Sequence, residues 1–508
     1  MRRVIKDVDF AVDEHIWGHR LYDEQLPHLA VLEFLSVLAS NSDKPLRARI
    51  GDEVFYRPQR QMRLRGLLFN NPYVETIREK EVSDEDKWNQ WVERFTEDSA
   101  KLENGDMGYL RQVFNSFDDF AKAIELLRSS AFEARSNKRW SSKFVFPFGP
   151  DALYEDLRID ADGGASNDRR FFARTGELLY LMLSRAKNGA KLGDQLVSRL
   201  FDRAAPMNRL VRALQRETQS ASADRPIGYL PHATHPRFDQ LCDDWLAILS
   251  RDMPVYDALE HLIASAGLNL LLYFLECGKA QSGDPEPVEL ICEIVSRERT
   301  KVRALSGDSY QFNQGLSLRA VRTAVESIRL TDEWFNAAQT SDANALAAGL
   351  MRASFQWPPE NGSDESVTGD TTGEMLIKEL VDKAESRHEQ HFGKIHATWS
   401  RAVGLSSRRL SRRTRYAPND KLLKTLVIAM VDDRMQFDEF LSEARKRYGL
   451  VIGDAEGARL IKEKLVDQDA LSDNRGNLEA RLVGLGLVRR LSDSCSFVEN
   501  PFTVEVSQ

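Results

Sequence analysis

The chain has 508 residues, of which 42% are hydrophobic and 29% are charged, and its formal net charge is −8. This length and composition predict two to four packed domains and exclude a disordered chain. The negative charge excludes a protein whose whole surface coats nucleic acid, because phosphate binding requires concentrated Lys and Arg. A local basic patch remains allowed.

The cysteines and the apolar segments indicate the cellular compartment. The four cysteines show no CxxC spacing, which predicts free thiols in a reducing compartment. The first fifteen residues, MRRVIKDVDFAVDEH, lack the apolar core of a secretory signal. The longest uncharged apolar run, residues 262–275, is shorter than the ~20 residues that cross a bilayer, so we expect a buried helix. The sequence predicts a cytoplasmic protein without membrane contact.

The body of the chain is predicted to be mainly helical. Leucines near helical spacing predict a core helix over 26–39, and aromatic faces predict amphipathic helices within 83–135. The alternating phenylalanines of 144–148 predict a short extended segment. From loop composition we predict an N-terminal mostly helical domain over 1–161 and a central helical domain over 169–356.

One segment of the central domain carries candidate metal ligands. Residues 229–245 contain His232, His235 and Cys242, which supply the nitrogen and sulfur donors that zinc prefers. Prolines at 231 and 236 predict a rigid loop around both histidines, and the spacing matches no known zinc motif. A loop without metal is therefore the main prediction, and no cofactor is expected.

Residues 357–373 (WPPENGSDESVTGDTTG) have almost no apolar content, and we predict a linker. A polar helix is predicted over 374–403. This helix and the basic residues that follow it form a predicted region over 374–418. His388 and His391 lie in the sequence HEQH, which differs from the HExxH zinc motif. We therefore expect these histidines on a solvated helix face.

The most unusual stretch is 401–424, which we call the basic segment. It carries eight cations and one acid, Asp420, and therefore a charge of +7 within a protein of net charge −8. Such a local reversal of sign predicts contact with phosphates or with an acidic protein surface. The candidate phosphate ligands in it are Arg401, Arg408, Arg409, Arg412, Arg413, Arg415, Lys421 and Lys424.

Residues 419–508 show a recognisable order of elements. Helices are predicted over 422–430, 437–448 and 476–485, with a short strand at 449–453, and LVGLGLVRRL leads into a β-hairpin. This order resembles a winged-helix domain, which implies that the helix before the hairpin enters the DNA major groove and that the hairpin contacts phosphates. The candidates that the resemblance implies are Asn474, Arg475, Asn477 and Arg481 on the helix and Arg489 and Arg490 near the wing.

The phrases FDEFL, RYGLVIG and LGLVRRLSDSCSFVENPF also resemble C-terminal regions of large helical accessory proteins of bacterial antiphage systems, of the methylation- or phosphorothioation-associated kind. The resemblance implies that other proteins of such a system are the partners.

Three hypotheses remain open. The first is a non-enzymatic, DNA-contacting accessory subunit of an antiviral defence complex. The second is a protein–protein scaffold in which the arginines pair with acidic surface. The third is an unrecognised metal-dependent hydrolase or nuclease. The sequence lacks a P-loop, an HExxH motif, a glycine-rich cofactor loop and a serine elbow, which favours a protein that is not an enzyme.

Overall fold

The computed structural model describes most of the chain in full atomic detail. The described residues are 8–18, 22, 24–57, 59–99, 107–132, 139–160, 164–167, 171–215, 224–228, 230–284, 286–296, 300–339, 343–355, 372–409, 412–492 and 495–502.

Helices dominate the described residues, which confirms the predicted mainly α fold class. The α-helices are α1 (Val8–Trp17), α2 (Pro27–Ser40), α3 (Met62–Phe69), α4 (Tyr73–Arg78), α5 (Asp84–Ser99), α6 (Leu110–Val113), α7 (Phe117–Ser129), α8 (Thr175–Arg185), α9 (Gly189–Leu200), α10 (Pro206–Leu214), α11 (Pro236–Leu249), α12 (Val255–Gln281), α13 (Val302–Gln314), α14 (Leu316–Glu326), α15 (Asp332–Ala338), α16 (Ala343–Ser354), α17 (Gly373–Gln390), α18 (Phe392–Ala402), α19 (Asp420–Met430), α20 (Phe437–Tyr448), α21 (Ala458–Lys462) and α22 (Gln468–Gly484).

The strands are short. They are β1 (Phe55–Tyr56), β2 (Ala131–Phe132), β3 (Phe144–Val145), β4 (Leu157–Ile159), β5 (Ala165–Asn167), β6 (Arg225–Pro226), β7 (Leu290–Ile291), β8 (Ser406–Ser407), β9 (Arg415–Tyr416), β10 (Arg434–Gln436), β11 (Leu450–Val451), β12 (Val488–Ser492) and β13 (Cys495–Glu499). Five two-stranded ladders pair β1 with β6, β2 with β3, β4 with β5, β7 with β11 and β8 with β9. One three-stranded sheet has the order β10-β13-β12.

Contacts divide the chain into two compact units. One contains the described residues of 24–228, and the other combines those of 1–23 with those of 229–508. The division into domains predicted above was drawn from composition and stays a prediction.

In the unit of 24–228, α2 and α8 are joined by a buried carboxylate. Glu33 of α2 accepts hydrogen bonds from the backbone N–H groups of Arg174, at 3.0 Å, and Gly176, at 2.8 Å. These groups belong to the first turn of α8, whose donors have no partner within the helix. A Cβ atom on Gly176 would lie 2.4 Å from the backbone nitrogen of Phe34, so only glycine allows this close approach.

In the second unit, α12 is the central helix. By length and composition α12 could cross a membrane, but 83% of its most apolar window is buried within the protein. Among the described residues it is the one helix of that length and composition. The predicted buried helix over 262–275 is therefore confirmed.

The C-terminal elements share a core with this helix. Apolar residues of α12, β7 and α13 form one buried cluster with those of α19, α20, α22, β12 and β13. In addition, β11 pairs in parallel with β7. The Gly449 carbonyl accepts a hydrogen bond from the Leu290 N–H at 2.8 Å. The left-handed backbone of Gly449, with φ of 69°, ends α20 and turns the chain into β11.

Two predicted helices have different bounds. The polar helix predicted over 374–403 is two helices, α17 and α18, because His391 breaks the helical geometry with φ of −128° and ψ of −77°. The helix predicted over 476–485 begins eight residues earlier, at Gln468. Ser472, Asp473 and Asn474 favour turns, but they lie within the helix because tertiary packing holds Leu471 and Leu478 in the core.

Candidate nucleic-acid interface

The middle of the basic segment forms a β-hairpin, and its two ends belong to α18 and α19. After α18 the chain turns at Gly404, whose φ is 83° and whose carbonyl accepts a hydrogen bond from the Asn419 N–H at 2.8 Å. Strands β8 and β9 then pair in antiparallel register, Ser406 with Tyr416 and Ser407 with Arg415. Asn419 caps the next helix, because its side chain accepts from the Leu422 N–H at 2.9 Å.

The base of this hairpin is buried and fixed by polar contacts. The Arg415 guanidinium is 1% exposed and forms an ion pair with Glu293, whose other carboxylate oxygen accepts from Arg303 Nε at 2.7 Å. The Tyr416 hydroxyl lies 3.0 Å from His396 Nε2 and accepts from Asn313 Nδ2 at 3.1 Å. Arg415 is therefore part of the interior and is not accessible to a phosphate.

The tip of the hairpin is the exposed part of the basic segment. Arg408, Arg409, Arg412 and Arg413 are all exposed. Arg408 Nη2 donates to the Arg412 carbonyl at 3.2 Å, so one arginine bridges the two sides of the tip. Arg413 faces Asp308 at 3.7 Å, whereas the other three pair with no carboxylate among the described residues.

The remaining predicted cations of the basic segment lie on the helices beside the hairpin. Arg401, at the end of α18, and Lys424, on α19, are exposed and pair with no described carboxylate. Lys421 is also exposed, and its Nζ lies 3.0 Å from Glu260. Exposed pairs of this kind contribute about 0–1 kcal/mol, so Lys421 can exchange its partner for a phosphate at little cost.

The predicted recognition helix presents few free cations. Arg475 is paired with Asp438 and its guanidinium lies 5.2 Å from the centre of the Phe437 ring. Arg481 is paired with Asp420 at 2.6 Å. Both arginines of α22 that were predicted to contact DNA are therefore paired with aspartates of the protein itself.

Asn474 is a buried structural residue. Its side-chain oxygen accepts from the Ile294 N–H at 2.8 Å, and its amide nitrogen donates to the Cys292 and Ile452 carbonyls, each at 2.9 Å. The prediction that Asn474 reads bases is therefore wrong, because every polar atom of its side chain is engaged inside the protein. Asn477, one turn along, is partly exposed.

Replacing Asn474 with alanine should destabilise the protein by about 2–4 kcal/mol. The substitution removes three buried hydrogen bonds and leaves backbone groups of 292, 294 and 452 without partners, each of which costs ~1 kcal/mol or more. Urea denaturation measures the change. Asn477→Ala is the matched control, and we expect less than about 1 kcal/mol from it; equal effects of the two substitutions would contradict the assigned role.

The hairpin β12–β13 carries the last predicted pair of cations. Arg489 is exposed and pairs with no described carboxylate, whereas Arg490 lies 3.1 Å from Glu479 of α22. The structure adds Arg434 of β10, which is exposed and lies 5.6 Å from the centre of the Phe497 ring. Arg434 was missed because a single arginine that follows two aspartates has no signal of its own.

The candidate metal ligands are not assembled into a site. The His232 and His235 rings are 5.8 Å apart between centroids, but Cys242 lies buried on α11, and the thiol near His232 Nε2 is that of Cys277, at 3.6 Å. His235 Nδ1 accepts from the Arg237 N–H and thus caps α11. The described residues contain no group of three or more His, Cys, Asp or Glu side chains placed to hold a metal ion.

The prediction of a solvated helix face for His388 and His391 is wrong for His388. This residue is fully buried, stacked on the Phe392 ring at 5.0 Å between centroids. The sequence HEQH has polar neighbours on both sides, so its burial was visible only in the tertiary structure.

Buried neutral histidines make stability depend on pH. Burial lowers the pKa of His396 to about 3, and burial, with the nearby His232 and Arg237, lowers the pKa of His235 to about 4. In the unfolded chain each titrates near 6.5, so between these values the unfolded state binds more protons. We expect stability to fall as the pH drops below about 6.5, by up to ~1.4 kcal/mol per pH unit for each histidine.

Denaturant midpoints between pH 7.5 and pH 5 measure this dependence. His396→Gln keeps an acceptor for the Tyr416 hydroxyl. It should reduce the slope of the free energy of unfolding against pH by the contribution of one proton. An unchanged slope in that variant would mean that other groups cause the pH dependence.

The region that contains the hairpin β8–β9 and the C-terminal elements matches a known protein family. Residues 371–498, about a quarter of the chain, match the family described as methylation-associated defense system protein MAD7. No curated protein and no solved structure matches the chain. Over residues 371–498 the chain is thus similar to methylation-associated defense system protein MAD7, which confirms the predicted resemblance to an accessory protein of such a defence system.

Proposed function

We propose that this protein is a DNA-contacting accessory subunit of an antiviral defence complex and that the tip of the hairpin β8–β9 binds DNA phosphates. The supporting observation is the contrast within this hairpin between a buried, hydrogen-bonded base and a tip with three exposed arginines that pair with no described carboxylate. A fixed base holds the strands that carry the tip arginines, which lowers the entropic cost of binding.

The elements around the hairpin support the same proposal. From α19 onward the order is helix, strand, helix, strand, two further helices and a hairpin, and the sheet order β10-β13-β12 places the first strand against the last. This order supports the winged-helix resemblance, with β10 as a strand that the sequence did not predict. The exposed Arg489 of β12 and Arg434 of β10 lie on its sheet, where a wing contacts phosphates.

The proposal assigns the contact to phosphates rather than to bases. Arg475 and Arg481 of α22 already pair with acids, and Asn474 is buried. Phosphate contacts carry little sequence information, so we expect weak sequence preference and strong salt dependence. Other proteins of the defence system are the expected partners of the remaining surface.

Measuring the affinity of the full chain for a duplex DNA over a range of salt concentrations tests this function. Three to six phosphate contacts predict a slope of log K against log salt of about −3 to −5, since each contact contributes ~0.9. A slope near zero, or no binding at low salt, would contradict the proposal.

A protein–protein scaffold is the second candidate. It is favoured by the same pairs on α22, because a helix whose arginines are neutralised by Asp438 and Asp420 presents a mixed-charge surface typical of protein contacts. Under this reading the charge-removal variants described in the Discussion would leave DNA affinity unchanged but would weaken binding to a protein of the same defence system.

A further inference from the structure

Three helices of the second unit bring together an aspartate, a histidine and a serine. Asp13 lies on α1, Ser317 on α14 and His388 on α17. The Asp13 carboxylate is 3.1 Å from His388 Nδ1, and Ser317 Oγ is 2.9 Å from His388 Nε2. The members come from sequence positions up to 375 residues apart, so no local motif marks them.

The chemistry of the three groups gives the direction of the hydrogen bonds. An ionised carboxylate only accepts, so Nδ1–H of His388 donates to Asp13 and Nε2 is left as the acceptor for the Ser317 hydroxyl. This tautomer is the one that allows a histidine to remove a proton from a serine. Asp13 therefore orients the imidazole and stabilises the cation that forms when it takes up a proton.

The surroundings suit a chemical role for the serine. His388 is fully buried beneath the stacked rings of Trp17 and Phe392, and Asp13 is 6% exposed. Ser317 is only partly buried, so its hydroxyl is the member of the group nearest to solvent. It is the second residue of α14, which follows α13 after the single residue Gly315.

We propose that Ser317 is a nucleophile activated by His388 and positioned through Asp13, and that it accepts acyl or phosphonyl groups from activated esters. In the transfer, Ser317 Oγ forms a bond to the carbonyl carbon, the bond from that carbon to the leaving oxygen breaks, and the serine proton passes through His388 Nε2 to the leaving oxygen. The product is an acyl-serine and a free alcohol, and no oxidant or metal takes part.

A fluorophosphonate probe on the purified full chain tests this assignment. In that reaction the serine oxygen binds phosphorus, fluoride leaves and the proton is taken up by His388. We expect Ser317, mapped by peptide mass spectrometry, to be labelled faster than other serines by about 10²-fold or more. Ser317→Ala should abolish the label. Ser327→Ala, which changes a serine ten residues along the chain that donates to the Ala324 carbonyl, should leave it intact.

A second variant separates reactivity from folding. Asp13→Asn keeps the size of the side chain but favours the wrong histidine tautomer, and we expect the labelling rate of Ser317 to fall by about 10²-fold or more while the melting temperature of the variant still shows a folded protein. If the network only holds the three helices together, the wild-type protein will label no faster at Ser317 than at exposed serines, and the proposal is then wrong.

Discussion

Replacing Arg408, Arg409 and Arg412 with alanine should weaken binding to duplex DNA by roughly 10²- to 10³-fold at about 0.1 M salt. Each lost phosphate contact removes ~0.9 from the slope of log K against log salt, so the slope should become less steep by about 2.7 for three contacts. The three side chains are exposed and pair with no described carboxylate, so we expect little change in melting temperature. Fluorescence anisotropy with a labelled duplex measures both quantities.

The matched control removes the same charge from the other unit. Lys191, Arg203 and Arg209 are exposed on or near α9 and α10, and their replacement by alanine lowers the net charge of the protein equally. We expect less than about a threefold change in affinity from this variant. If the two triple variants lose the same affinity, the effect comes from overall charge; if neither loses affinity, the hairpin tip does not bind phosphates.

The largest expected effect on stability comes from Glu293. This carboxylate is completely buried and is the anion that pairs with Arg415, whose Nη atoms have no hydrogen-bond partner among the described residues. Glu293→Gln leaves the buried guanidinium without a counter-charge, and we expect a loss of about 3–5 kcal/mol in the free energy of unfolding. Arg415→Met should cost less, because Glu293 then still pairs with Arg303.

Combining the two substitutions tests this explanation. The double variant Glu293→Gln, Arg415→Met should be more stable than Glu293→Gln alone, since the uncompensated buried charge is gone. Glu385→Gln, which breaks the exposed pair with Arg322 at 2.8 Å, is the control and should cost under about 1 kcal/mol. A Glu293→Gln variant as stable as this control would contradict the assigned role.

The stability of the hairpin base should affect DNA binding. The pair of Arg415 with Glu293 holds the base of the hairpin, so variants that keep the protein folded but loosen this base should also lower DNA affinity, through the position of the tip. The arginines of one short segment therefore divide into a group that builds the hairpin and a group that it presents to solvent.

The resemblance of the C-terminal elements was readable because local signals agree there. Asn419 caps a helix, Gly449 ends another, and the alternating residues after Gly486 form a hairpin. Each of these features depends on neighbours within a few residues, which a sequence shows directly. The helix α20 was predicted with the bounds that the structure has, Phe437 to Tyr448.

Burial of polar residues was not readable in the same way. Arg415, Asn474 and His388 belong to polar stretches of sequence, yet each is fully buried. Their partners, such as Glu293 for Arg415 and Asp13 for His388, are 122 and 375 residues away in the chain. Local composition assigned them to the surface because it cannot register a partner that folding brings from a distant segment.

By itself, the sequence determined the mainly helical class, the buried helix of 262–275, the charge reversal at 401–424 and the resemblance to a methylation-associated defence protein. All of these depend on composition, periodicity or short phrases. Only the tertiary structure decided that the basic segment is a hairpin, which of its arginines are exposed, and that Asp13, Ser317 and His388 meet. The physical reason is that a charged or polar side chain takes its role from the partner it meets, and that partner is chosen by the packing of helices far apart in the chain.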